Sequence, residues 1–131
     1  MGYTIGQVAK KLNLPTSTIR YYDNMGLIPF ITRKESGIRE FNDSDISMLQ
    51  IIECLKRTGM SIKDIKTFSD WCTKGDLSLQ QRHDMFIERK KTVEQQIMEL
   101  QDSLTLIEHK CEYYRTALQA GTESIHKKNS N

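Results

Sequence analysis

Between Phe86 and Leu118 apolar residues recur with an alternating three-four spacing, and that seam limits the chain more than any other feature. Placing Lys90, Ile97, Leu104, Cys111 and Leu118 at a positions and Phe86, Val93, Leu100, Ile107 and Tyr114 at d positions gives an unbroken heptad pattern. Helical throughout, the segment from Leu79 to Leu118 spans about 60 Å at about 1.5 Å per residue. A chain of 131 residues, 37% of them hydrophobic, builds one modest core and is short for two independent domains. The seam is therefore expected to pair with a second copy of the chain. Folding back onto the N-terminal part is the alternative, but so small a domain leaves most of a seam this long uncovered.

Ahead of the seam the pattern is of short helices. Thr4 followed by Gln7 has the form of a capping box, with Ile5, Val8, Ala9 and Leu12 at helical spacing behind it. Asn13-Leu14-Pro15 breaks that helix, Thr16 is the expected N-cap of a second, and this second helix runs to about Met25 with Gly26 as its C′ residue. The two form a helix-turn-helix. Ser17, Arg20, Tyr21 and Asn24 fall at i, i+3, i+4 and i+7, hence on one face, while Ile19 and Tyr22 point toward the first helix. A stripe of hydroxyl, guanidinium, phenol and amide suits phosphate oxygens and base edges in a major groove. A solvated face with one partly buried tyrosine has the same composition.

After Gly26, Ile31 to Lys34 and Ile38 to Phe41 are expected to pair as strands around a Ser36-Gly37 turn, forming a small hairpin wing. Arg33, Lys34 and Arg39 would project from it toward a phosphate backbone. Asn42 and Asp45 have capping spacing for a third helix, which Gly59 stops, and Ser61 with Asp64 opens a fourth. Lys56 and Lys63 flank that junction, where a second wing could meet phosphate; basic residues at a helix C-terminus are also ordinary dipole partners. The expected organisation is a DNA-binding domain over residues 1–75, a dimerisation helix over 76–119, and a disordered tail over 120–131.

Overall charge does not point to nucleic acid, since the formal net charge is only +2. Its distribution does. From Met1 to Phe41 six Lys and Arg face three acids, while from Arg82 to Glu112 seven acids face five bases. No apolar run reaches the roughly 18 residues of a membrane span, and the N-terminus lacks a signal-peptide core, so a cytoplasmic protein without membrane partners is expected. No Gly-rich phosphate loop or nucleophile motif supports an enzyme. The three cysteines, Cys54, Cys72 and Cys111, lie too far apart for a zinc finger or a disulfide framework. No metal or cofactor is expected.

The stretches YTIGQVAKKLNLPTSTIRYYDNMGLI and GIREFNDSDISMLQIIECLKRTGMSIKDI, with the coiled-coil segment behind them, resemble the MerR family of bacterial transcriptional regulators over nearly the whole chain. The resemblance implies a mainly α fold, in which a winged helix-turn-helix domain with a small β-hairpin wing precedes a long antiparallel coiled-coil dimerisation helix. It implies a homodimer on double-stranded promoter DNA whose spacer is longer than optimal, bending and untwisting it so that RNA polymerase engages both promoter elements. It assigns DNA contacts to Arg20 and Tyr21 on the second helix, Arg39 on the wing, and Lys56 or Lys63 on the second wing, with Tyr22 packed inside.

Within the family the chain resembles the short AdhR/NmlR-like branch, associated with aldehyde, electrophile and nitrosative stress, in which a cysteine of the third helix is implicated. Cys54, in IIECLKRTGMSI, occupies that position. Arg57 and Lys56 favour a thiolate there, while the C-terminal helix dipole and Glu53 oppose it, so a reactive and an inert Cys54 both stand. Two other modes are carried as alternatives: a DNA-binding repressor or architectural protein with no effector, and a metal or small-ligand sensor using Cys72 and the coil.

Overall fold

The structure, a computed structural model, describes residues 2–129. Among the described residues there are five α-helices and one two-stranded hairpin, and each helix begins where the local chemistry permits. Helix α1, Ile5–Leu12, opens on the predicted capping box: the Gln7 N–H donates to Thr4 Oγ1 at 3.1 Å and the Thr4 N–H to Gln7 Oε1 at 2.9 Å. It closes on Asn13 in the left-handed region (φ 54°), where asparagine is among the few tolerated side chains. Helix α2, Thr16–Asn24, starts one residue earlier than expected. Pro15, not Thr16, is its N-cap, with the Pro15 carbonyl accepting from the Thr18 N–H at 3.1 Å, and the Thr16 hydroxyl is left to accept from Arg20 Nη1 at 3.4 Å. Gly26 (φ 75°) ends the helix as predicted, and the Leu27 N–H donates to the Tyr22 carbonyl.

The wing is smaller than its sequence suggests. Strands β1, Thr32–Arg33, and β2, Arg39–Glu40, pair antiparallel with Thr32 opposite Glu40 and Arg33 opposite Arg39. At the turn Lys34 and Ile38 are still joined by one bond, the Lys34 N–H donating to the Ile38 carbonyl at 2.8 Å, but at the base Phe41 bridges Tyr3 ahead of α1 and the Ile31 N–H turns back to the Ile28 carbonyl. Helix α3, Asp43–Arg57, is capped reciprocally by Asn42 and Asp45, and α4, Ile62–Thr73, by Ser61. Their inward faces, with Val8, Ile19, Tyr22 and Leu27, make one buried core around Leu49, Ile52, Leu55 and Ile65. Ser69 on α4 donates to the Leu27 carbonyl at 2.9 Å, tying α4 behind the end of α2.

A 3-10 turn, Gly75–Ser78, leads into α5, Leu79–Ala120, a helix of 42 residues. The compact N-terminal unit runs to Arg89, because the opening turns of α5 pack on its core. Met85 packs there, the Phe86 ring meets Phe68 edge-on at 5.4 Å, and Arg82 donates to the Gly75 carbonyl at 2.7 Å. Phe86, assigned to the seam, thus also serves the domain. The second unit, from Lys90 onward, leaves the rest of the seam open within one chain: Ile97, Leu100, Leu104, Ile107, Tyr114 and Leu118 are all exposed, as is Cys111, and Val93 is half-buried.

A 3-10 helix, Glu123–Asn129, follows Gly121, and His126 stacks on the Tyr113 ring at 3.8 Å. The Tyr113 hydroxyl donates to Glu123 at 3.0 Å, and the Thr122 N–H closes onto the Ala117 carbonyl. Aromatic stacking and these bonds connect this polar segment to the end of α5. Ser130 and Asn131, the end of the predicted tail, lie outside the described residues. Among the described residues no helix is long and apolar enough to cross a membrane.

Candidate nucleic-acid interface

Helix α2 is short and buries only Ile19 and Tyr22 completely, which turns Ser17, Arg20, Tyr21 and Asn24 outward together. Tyr21 keeps 47% of its surface accessible. The Thr16 hydroxyl reaches Arg20 one turn on and biases the guanidinium along the helix. This is the face the spacing predicts, open and chemically mixed.

Tyr22 does the opposite job. Its ring is buried, its hydroxyl donates to Glu53 on α3, and Lys56 donates to the same oxygen at 3.1 Å with its ammonium 5.4 Å from the ring centre. Burial first, and the bond to Glu53 second, push the Tyr22 phenol above its ordinary range, so it stays neutral and donating. Lys56 is raised in turn by its bond to the Tyr22 oxygen, so this exposed cation stays charged. Lys56, expected to meet phosphate or to partner the helix dipole, is thus also oriented by Tyr22 of α2.

The wing brings a feature that charge counting missed. Asp23, between Tyr22 and Asn24, accepts from Arg39 Nε at 2.6 Å and from Arg33 Nη2 at 2.7 Å on one carboxylate oxygen. Asn24 accepts from Arg39 Nη2 at 3.3 Å. The wing arginines and α2 are thus one hydrogen-bonded assembly, with Arg39 half-buried and Arg33 exposed. A hint lay in the hairpin itself: two arginines in register on two-residue strands repel each other unless an acid lies between them. Lys34 stands exposed beside the Gly37 turn (φ 84°), and Lys63 is exposed in the first turn of α4.

The cysteines separate clearly. Cys54 is exposed on α3, with its carbonyl accepting from the Thr58 N–H where the helix ends. Cys72 is half-buried, and burial raises its thiol pKa against the opposing pull of Arg82. It lines a cavity of about 400 Å³ with Phe30, Met48, Ile51, Phe68 and Arg82. Asp45, the buried partner in the α3 capping box, also faces it; burial raises its pKa, the Asn42 N–H lowers it, and the Asp23 charge raises it further. Among the described residues no group of three or more His, Cys, Asp or Glu side chains is placed to hold a metal.

Comparison with known proteins agrees with this arrangement. The family model described as MerR HTH family regulatory protein matches residues 3–70, and the model described as MerR, DNA binding matches residues 46–109. An uncharacterized HTH-type transcriptional regulator of Haemophilus influenzae is 40% identical over 93% of this chain and 90% of its own length. The HTH-type transcriptional regulator AdhR of Bacillus subtilis is 37% identical over 69% of this chain and 65% of its own. Among solved structures, HiNmlR, a MerR family regulator lacking the sensor domain and bound to promoter DNA, superposes with a TM-score of 0.90 at 39% identity, covering 95% of this chain and 99% of that one.

Proposed function

This chain belongs to the MerR family of helix-turn-helix regulatory proteins, in its short AdhR/NmlR-like branch, and on that premise we propose that it controls transcription as a homodimer on double-stranded promoter DNA. The observation that carries the reading is the open α2 stripe of Ser17, Arg20, Tyr21 and Asn24 with the wing arginines bonded beside it. Helix α2 enters a major groove, Arg33, Lys34 and Arg39 approach the flanking phosphates, and Lys56 and Lys63 meet the backbone from the α3–α4 junction. The open seam of α5 pairs antiparallel with a second copy, which supplies the second reading head.

Contacts from two heads and their wings repay a bend and untwist of an overlong promoter spacer, so that RNA polymerase engages both promoter elements. Such a protein works in the bacterial cytoplasm. It binds DNA and does not catalyse a reaction, as is true of the regulators it is similar to. The trigger in this reading is Cys54 at the α3 terminus: its sulfur adds to the carbonyl carbon of an aldehyde, the C=O π bond opens, and the thiol proton ends on that oxygen, giving a hemithioacetal. Exposure of the sulfur supports that assignment.

The test begins with duplexes selected by the wild-type protein from a randomised pool. Arg20→Ala should weaken binding to the selected duplex by about 1–3 kcal/mol, roughly fivefold to 150-fold. Equal binding by wild type and R20A would remove α2 as the reading element. In a reporter strain, Cys54→Ala should abolish the aldehyde response and leave DNA binding intact. An unchanged response, or none in wild type, would favour regulation without a thiol effector.

One observation favours a second reading of the trigger. The cavity beside Cys72, with Arg82 at its wall, is large enough for a small non-covalent ligand. A C54A protein that still responds, with the response lost in Arg82→Ala, would select it.

A further inference from the structure

A carboxylate within the DNA-facing surface is electrostatically unfavourable, because it repels every duplex whatever its sequence. Asp23 is such a group. It sits one turn beyond Arg20 on the recognition helix, its side chain only 7% exposed beneath the guanidinium groups of Arg33 and Arg39. The hairpin it holds has little of its own to set the position of its outer end: the Phe41–Tyr3 bridge anchors only its base, each strand has two residues, and of the two register pairs the outer one is arginine against arginine. Two-stranded ribbons of that length are marginal in water, and like charges placed opposite one another weaken them further. What fixes the wing against α2 is the pair of bonds to one Asp23 oxygen, at 2.6 and 2.7 Å, with the Asn24 amide taking a second Arg39 nitrogen.

We propose that Asp23 is a specificity-determining positioning residue, a latch that holds the wing arginines in one register relative to the recognition helix. This rests on the DNA-binding reading above and adds a role that charge alone would not assign. With the wing latched, Arg33 and Arg39 reach phosphates only where the helix has also entered the groove in its proper register. On a mismatched duplex the arginines cannot swing out to compensate, and the Asp23 charge counts against binding. Discrimination, not raw affinity, is what the latch supplies.

The experiment uses full-length protein, fluorescence anisotropy, a duplex selected by wild type from a randomised pool, and a scrambled duplex of equal composition, each over a range of KCl. In Asp23→Asn, loss of the charge should tighten binding to the scrambled duplex by about threefold, while loss of the latch should weaken the selected one by about tenfold. The two affinities therefore move in opposite directions. Affinities that shift together in equal proportion, or not at all, overturn the proposal. If D23N does not fold, as judged by far-UV circular dichroism, Arg33→Gln serves instead. Loss of a plain phosphate contact lowers both affinities equally, whereas loss of half the latch lowers the ratio of selected to scrambled binding. A constant ratio in R33Q overturns the proposal as well. Failure of wild type to enrich any duplex would instead refute the DNA-binding reading, and the latch with it.

Discussion

Removing one oxygen atom from Tyr22 tests whether α2 is held by hydrogen bonding or by packing alone. In Tyr22→Phe the ring stays buried and the Lys56 ammonium keeps its place over it, so the loss is confined to the bonds with Glu53 and Lys56. A hydrogen bond to a charged partner has a net worth of about 1.5–3 kcal/mol. Glu53 is half-buried and regains some water when its donor disappears, which places the expected loss at about 1–2 kcal/mol. For a chain of this length that lowers Tm by about 4–8 °C. Truncation to alanine, which empties the site of a fully buried aromatic, should cost about 3–5 kcal/mol.

Urea unfolding at fixed protomer concentration provides the assay, because the pairing proposed for α5 would make stability depend on that concentration. A double-mutant cycle with Glu53→Ala isolates the pair, and the expected coupling is about 1 kcal/mol. A coupling under about 0.3 kcal/mol, with Y22F as stable as wild type, would refute the reasoning and leave shape complementarity as what fixes α2.

Leu104→Lys, in the middle of the open seam, should convert a dimer of twice 15.2 kDa into monomers in sedimentation equilibrium; a wild type that is itself monomeric at micromolar concentration contradicts the pairing. With iodoacetamide at pH 7, Cys54 should label first, and Cys111 only once L104K has opened the seam. Cys72 should label last, at a rate still climbing above the usual thiol value of about 8.5 because burial raises its pKa. Equal labelling of Cys54 and Cys72 would contradict their different environments. Asp45 tests the sign of a buried carboxyl. Its folded pKa is raised, so its stabilisation is full below the unfolded value near 3.9 and is lost as pH rises through the folded value. Asp45→Asn should therefore melt above wild type at pH 7, with a narrower gap at pH 4; a gap that widens toward acid would reverse the argument.

Much of the fold was legible along the chain because its cues are local. The capping boxes at Thr4 and Asn42, the Ser61 cap, the Gly26 stop and the heptad seam all involve residues three or four apart, and the helical repeat sets their geometry before any tertiary contact forms. The outward stripe on α2 was readable for the same reason. The N-cap of α2 was misplaced by one residue because a threonine after proline looks like a cap, while here the Pro15 carbonyl closes the first turn. Strand lengths were overestimated because alternation says nothing about which neighbour a residue will pair with, and Phe41 pairs with Tyr3.

The sequence by itself determined the order and kind of elements, the open face of α2 and the unpartnered seam of α5. Tertiary structure alone decided the extension of the core to Arg89, the Tyr22–Glu53–Lys56 chain across separations of 31 and 34 residues, and the meeting of Arg33 and Arg39 on Asp23. Those contacts depend on where separate backbones cross, and a periodicity confined to one element carries no information about that crossing.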